Sequence, residues 1–246
     1  MQLEPELGHF DTSLFLPDEG QIDNRMLLLS LQKQLERQKV KWLRGQTIDA
    51  VNGGSFEINS QSYEYDLIID CRGTGARAQM SDLRGVRGEL FRLYAPQVKL
   101  NRPVRLMHPR YQLYIAPKPG SYYVVGATEI ESDDDSPVTV RSALELLSAA
   151  YSVHPGFAEA SIVEQISCCR PAFANNHPQI RVSNQLIQVN GLYRHGFMVA
   201  PVVLEHLLGV IERLPQAPEK QDDHYLAHFR EGMGFEQLIQ SLYRNE

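Results

Sequence analysis

Leucines at positions 27, 28, 31 and 35 recur at helical spacing behind Asp23, a residue type that caps helix N-termini, and the stretch ends in the charged run ERQKVK. The pattern predicts an amphipathic helix lying on a core. From Val40 to Cys71 the apolar positions fall into short runs, broken by NGG at 52–54 and by the polar NSQS at 59–62. Such punctuation predicts an antiparallel meander. Its last member, Leu67-Ile68-Ile69, is apolar on both faces, as a buried parallel strand is. A change of architecture is expected near residue 70.

Beyond a glycine turn, strands are predicted at Val86 to Tyr94, Val104 to Met107, Leu113 to Ala116 and Tyr122 to Ala127, the last two closing a hairpin over Pro119 and Gly120. The segment SPVTVRSALELLSAAYSV reads as a helix with Pro137 near its first turn, stopped by HPG at 154–156. A strand at Ser161 to Cys168 leads into CRPAFANNHPQIRV. A final strand, Gln185 to Val189, feeds NGLYRHGFMVAP, with Pro201 at the start of a helix through VVLEHLLGVIERL. No internal repeat or low-complexity linker interrupts the pattern. The order predicts a mixed α/β (α+β) fold with a strand-rich middle set between two flanking portions.

At 246 residues and 43% apolar, the chain suffices for one large domain or two small ones. The net charge of −6, with no cluster of Lys and Arg, argues against a nucleic-acid partner. The apolar runs are too short to span a membrane, and MQLEPELGHF lacks the basic and apolar regions of a signal peptide, so a cytoplasmic protein is expected. Cys71, Cys168 and Cys169 fit no disulfide framework or zinc spacing and are expected to be reduced, partly buried thiols. The acidic EIESDDDS lacks the glycine and the terminal glutamate of a calcium loop, and the eight histidines show no ligating spacing, so no metal is predicted. No G-x-S-x-G is present to suggest a serine hydrolase.

Gly73-Thr74-Gly75-Ala76-Arg77-Ala78 formally satisfies the G-x-G-x-x-[GA] pattern after a strand. A dinucleotide fingerprint, however, opens a helix whose N-terminus meets the pyrophosphate, and QMSDLRGVRG follows here instead. A tight turn that needs positive φ accounts for the glycines equally well.

A third reading comes from resemblance. The apolar strand, the small glycine turn and the departure to a new sheet resemble the second glycine motif of two-domain flavoproteins. LRGVRGELFRL, YIAPKPGSYYVVGATEIE, CRPAFANNHPQI and GLYRHGFMVAP occur in the order and at about the intervals found in the D-amino-acid oxidase family, with most similarity to its thiamine-pathway glycine oxidases. The resemblance runs from about Leu3 to Leu214. It implies a partial FAD-binding domain (1–82 and 168–246) plus an antiparallel-sheet substrate domain (83–167). The family's N-terminal G-x-G-x-x-G and acidic ribose-binding residue have no counterpart here, so the site for the ADP half of FAD is expected to be mostly missing.

The resemblance also implies roles. Gly73, Thr74 and Gly75, with Gly191, Tyr193, His195, Gly196, Phe197 and Met198, would lie at the flavin. Backbone N–H groups at the helix start would there stabilise negative charge on the ring. Arg194 would clamp the substrate carboxylate, a task suited to a planar fork of donors, with Arg170 closer to the amine or a substrate oxygen. Two loop arginines on the surface are the plain alternative. Tyr114 would cap the carboxylate through its hydroxyl, although its strand periodicity alone suggests core packing. Gln112 and Glu129 match pocket-wall positions where glycine oxidases hold other residue types.

The implied reaction is FAD-dependent oxidative deamination of glycine or another small amino acid, with oxygen as electron acceptor. Two alternatives stay open: a non-catalytic fragment or subunit needing a separate nucleotide-binding chain, and a small carboxylate-binding module. A sheet without its parallel neighbours would expose apolar edges, so association with another chain or copy is expected.

Overall fold

The computed structural model describes residues 3–108 and 112–214 of the chain. In chain order the elements are helix α1 (Asn24–Arg37) and strands β1 (Ala50–Asn52), β2 (Ser55–Ile58), β3 (Gln61–Glu64) and β4 (Ile68–Asp70). Then come β5 (Arg84–Tyr94), β6 (Val104–Met107), β7 (Gln112–Lys118), β8 (Tyr122–Gly126) and β9 (Ile130–Glu131). Helix α2 (Val140–Val153), β10 (Ser161–Ala172), β11 (Gln179–Ser183), β12 (Leu186–Asn190) and helix α3 (Gly196–Arg213) complete the chain as described. The mixed architecture matches the prediction.

Two compact units are formed, Met1–Val40 with Arg87–Cys169 and Lys41–Val86 with Arg170–Glu246. Residues 1–40 thus group with the strand-rich middle, whereas the family-based partition puts them with the flanking portions. The reason is local bonding. The Glu6 carboxylate accepts from the Lys99 amide at 2.6 Å, that of Glu4 from the Asn101 amide at 3.1 Å, and that of Glu164 from the Arg25 guanidinium at 2.5 Å.

The first unit is built on a six-stranded sheet ordered β10-β5-β8-β7-β6, with β9 also on β5. Alternate strand residues Phe91 and Leu93, Leu113 and Ile115, and Tyr123 and Val125 pack with Leu146, Ala149, Ala150 and Val153 of α2 in one buried core. Thr139 caps α2 by accepting from the Ser142 amide, so Pro137 lies before the cap rather than in the first turn. The Pro137 carbonyl instead accepts from Arg87 at 2.8 Å. Arg87 and Glu89 form a buried pair: one Glu89 oxygen accepts from Arg87 Nη2 at 2.8 Å and from the Thr139 amide at 3.2 Å. Burial opposes ionisation of Glu89, but bonds from Ser142, Arg87, Thr139 and Thr128 together hold its carboxyl below the ordinary value.

Helix α1 departs from its prediction. Asp23 caps it as expected, accepting from the Arg25 and Met26 amides, yet none of its residues is buried, and Leu28, Leu31 and Leu35 stand 54%, 50% and 37% exposed. Its leucine stripe has the right period, but little of this chain covers it.

In the second unit β1, β2 and β3 form the predicted antiparallel meander, with Phe56 stacked on Tyr63 and Tyr65. A separate sheet runs β11-β12-β4. Strand β4 pairs parallel to β12, as the apolar run predicts, but as an edge: Ile69 is 42% exposed and only Asp70 of its three residues is buried. All five residues of β12 are buried, and Ile187 and Val189 pack with Ile180 and with Val199, Val203 and Leu207 of α3. Strand β11 completes an unpredicted hairpin with β12. Helix α3 begins at Gly196, so Pro201 is internal and not at the start. Pro201 is the sixth helical residue, past the acceptor-free first turn, so the helix forgoes the bond that position would have donated to the Phe197 carbonyl while its packed face holds it.

The three cysteines are free; Cys71 and Cys168 are exposed rather than partly buried, and Cys169 is buried. Burial, then Asp135, pushes the Cys169 thiol up to about 11. Among the described residues no helix is long and apolar enough to cross a membrane.

Candidate functional site

In the second unit three segments converge. Strand β12 ends at Asn190, whose buried side chain donates to the Gly73 carbonyl at 2.9 Å and accepts from the Gly191 amide at 2.9 Å. One amide group therefore ties both glycine segments together. Gly191 has φ +78° and lies on the Phe173 ring, where a Cβ would stand 2.4 Å from the nearest ring carbon. No side chain fits there. Tyr193, also left-handed at φ +50°, donates its amide to the Pro171 carbonyl at 3.2 Å. This bond joins the residue before Arg194 to the residue after Arg170. Gly73, at φ +59°, would place a Cβ 3.6 Å from Pro171 Cγ.

The 73–76 segment is a 3-10 turn and opens no α-helix. It is braced by Asp70, which accepts from the Arg72 amide at 3.1 Å and from its guanidinium at 2.9 Å. Burial works to raise the Asp70 pKa, and the bonds and charge of Arg72 bring it below the ordinary value, so a carboxylate paired with Arg72 sits behind the turn. At the other segment, the Met198 and Val199 amides both bond to the His195 carbonyl, which leaves those of Gly196 and Phe197 without an intrahelical acceptor. The positive end of an 18-residue helix is thereby presented at Gly196, where a Cβ would meet nothing nearer than Leu192 at 3.5 Å. Arg194, His195, Phe197 and Met198 are exposed, and Arg170 and Tyr193 are half-buried.

The first unit holds the remaining candidates. Tyr114 stands on β7 opposite Gly126 of β8 and Arg105 of β6. It is 36% exposed, on the face opposite the core that takes its neighbours Leu113 and Ile115. Core packing is therefore not its role. Glu129 is exposed, one residue beyond Thr128, whose hydroxyl donates to Glu89 at 3.1 Å. Gln112 heads β7, and its side chain lies outside the described residues.

The structure brings Gly73, Arg170, Gly191, Tyr193 and Arg194 into one neighbourhood of the second unit and places Tyr114 and Glu129 in the first. Sequence reasoning missed Asn190. Its only signal is a polar residue closing an otherwise apolar strand just before a glycine, which reads equally well as the first residue of a turn.

Residues 1–207 match the family model for FAD-dependent oxidoreductases of the DAO type. The chain belongs to that family. It is 40% identical over 202 residues to a Rhizobium etli protein assigned as the thiamine biosynthesis oxidoreductase ThiO, which covers 82% of this chain and 58% of that protein. The iminodiacetate oxidase of Chelativorans sp. BNC1 superposes with a TM-score of 0.68 at 26% identity, over 84% of this chain and 58% of that one. The L-proline dehydrogenase of P. horikoshii, at 16% identity, shares the fold with a TM-score of 0.70, over 88% and 62%. The chain thus spans a little over half the length of these relatives.

FAD is the cofactor of the family. The helix start at Gly196, with two amides that have no intrahelical acceptor, fits a ring that accumulates negative charge. The 73–76 turn does not fit a pyrophosphate, because no helix follows it.

Proposed function

We propose that the oxidoreductase acts on glycine or another small amino acid, as a glycine oxidase of the ThiO type does, with oxygen as electron acceptor. The observation that carries this reading is the Tyr193 to Pro171 bond, which lays the loop leading to Arg194 against the end of strand β10, where Arg170 precedes Pro171. Arginines on two adjoining segments, with their guanidinium groups turned to one ligand, would suit a carboxylate and the substituent next to it. FAD, held by the segments at 73–75 and 191–198, would supply two-electron redox chemistry at the substrate carbon, with oxygen as the final acceptor. The chain's own task is positioning: Arg194 pairs with the carboxylate, Arg170 holds the amine end or a substrate oxygen, and the Tyr114 hydroxyl donates to the carboxylate. Gln112 and Glu129 shape the pocket wall. Thr74, His195, Phe197 and Met198, with the glycines 73, 75, 191 and 196 and Tyr193, line the flavin.

In this reading the first unit binds substrate and the second is the remainder of the flavin domain. A cytoplasmic location accords with the chemistry. Partnership with a separate nucleotide-binding half, or with further copies, is a second reading favoured by the exposed leucines of α1 and the exposed Ile69 on edge strand β4. Glycine-dependent peroxide formation in the presence of FAD tests the activity, with Arg194→Ala as the control. Turnover that disappears in the variant while FAD stays bound supports the clamp. Carboxylate binding lost without any bound flavin would point to a carboxylate-binding module instead.

A further inference from the structure

Tyr114 lies in a cross-strand row of four: Leu90 of β5, Gly126 of β8, Tyr114 of β7 and Arg105 of β6. Gly126 is buried between two larger neighbours, and its φ lies outside the left-handed region. Backbone conformation therefore does not require glycine there; space does. A Cβ on residue 126 would stand 2.9 Å from the Leu90 Cβ, 3.1 Å from the Tyr114 hydroxyl oxygen and 3.3 Å from the Tyr114 Cζ. The two sides of this gap differ in stiffness. The Leu90 Cβ is fixed to a strand paired with β8 through five consecutive residues. The Tyr114 hydroxyl is the far end of a side chain and can tilt. Nor can β8 slip away at its end, because Thr128 donates its amide to the Glu89 carbonyl at 3.1 Å while its hydroxyl oxygen accepts from the Glu89 amide at 2.8 Å.

We propose that Gly126 is a positioning residue: the missing side chain leaves the space in which the Tyr114 hydroxyl lies, and any larger residue displaces that hydroxyl from carboxylate recognition. The inference rests on the carboxylate-binding reading of Tyr114. It adds a residue that touches no substrate but sets where a donor stands.

Acetate, a carboxylate without an oxidisable amine, is the probe, titrated calorimetrically against the full chain in the presence of FAD. Tyr114→Phe is expected to weaken acetate binding about fivefold, the loss of one hydrogen bond. Gly126→Ala is expected to match it with unchanged FAD affinity, and Gly126→Ala in the Tyr114→Phe background to add nothing further. The exchange Leu90→Gly with Gly126→Ala moves the missing Cβ to the other side of the gap and should restore wild-type acetate affinity. This exchange also decides the matter if Gly126→Ala alone fails to fold. Weakening by Tyr114→Phe but not by Gly126→Ala, additive losses in the double variant, or a folded exchange variant that stays weak would overturn the positioning role. If Tyr114→Phe binds acetate as tightly as wild type, or wild type binds none, the reading of Tyr114 itself falls and the proposal with it.

Discussion

Tyr114 is carried by a strand whose neighbours on both sides fix it by register, above a core shared with α2. Arg194 is carried by a loop whose shape depends on backbone: a glycine lying on a phenylalanine ring, a left-handed tyrosine and one asparagine that bonds to two segments. The first unit therefore places its candidate by strand register, on backbone that any residue adopts, with side-chain space at Gly126 setting where the hydroxyl stands. The second places its candidates by main-chain conformation, in which a single Cβ is an obstruction.

Glycine substitution should break the comparison most sharply. Gly191→Ala drives a Cβ into Phe173 at a positive φ and should cost on the order of 4 kcal/mol, measured by chemical denaturation. Gly20→Ala, with nothing within 4 Å, should change stability by less than about 0.5 kcal/mol. Similar losses at both would remove the distinction. In the first unit the corresponding weak point is the buried pair, and Glu89→Ala, which leaves the buried Arg87 with the more exposed Asp134 as its remaining carboxylate partner, should cost about 2–3 kcal/mol. Because the folded pKa of Glu89 is depressed, its contribution is fully present above the ordinary value of 4.5 and is lost as pH falls through the lower folded value. Acid unfolding of wild type should steepen there, and Glu89→Gln should flatten that part of the profile.

Smaller effects sharpen the same contrast. Asn190→Ala removes the tie between the two glycine segments and should cost about 1–3 kcal/mol, with FAD affinity falling alongside. An equal stability loss with FAD affinity intact would mean that the tie serves folding alone. Leu28→Gln and Leu31→Gln on α1 should each change the stability of the isolated chain by under about 0.5 kcal/mol. A loss above about 1 kcal/mol would show that the helix face is covered in solution.

What the sequence made legible divides along the same line. The strands of the first unit, the α2 helix and the parallel pairing of β4 follow from period and punctuation, because packing against a core enforces both. The leucine period of α1 is equally clear, but period says which face is apolar and not what covers it. The β11–β12 hairpin turns on Asn184-Gln185, where Asn184 takes φ +44°, and lacks the glycine that would have marked it. Pro201 misplaced the start of α3 because a proline is tolerated beyond the first turn when the helix is otherwise well packed. For the candidate site, Arg170, Arg194 and the glycines came from resemblance. Asn190 did not, since its bond to Gly73 crosses 117 positions of sequence.

The most direct test of the account is a titration of the purified chain with FAD, followed by flavin fluorescence and the visible absorption bands. If the 73–76 and 190–198 segments face the flavin, binding saturates, the bands shift, and Asn190→Ala weakens both changes. Fluorescence and bands that remain those of free FAD throughout the titration would contradict it.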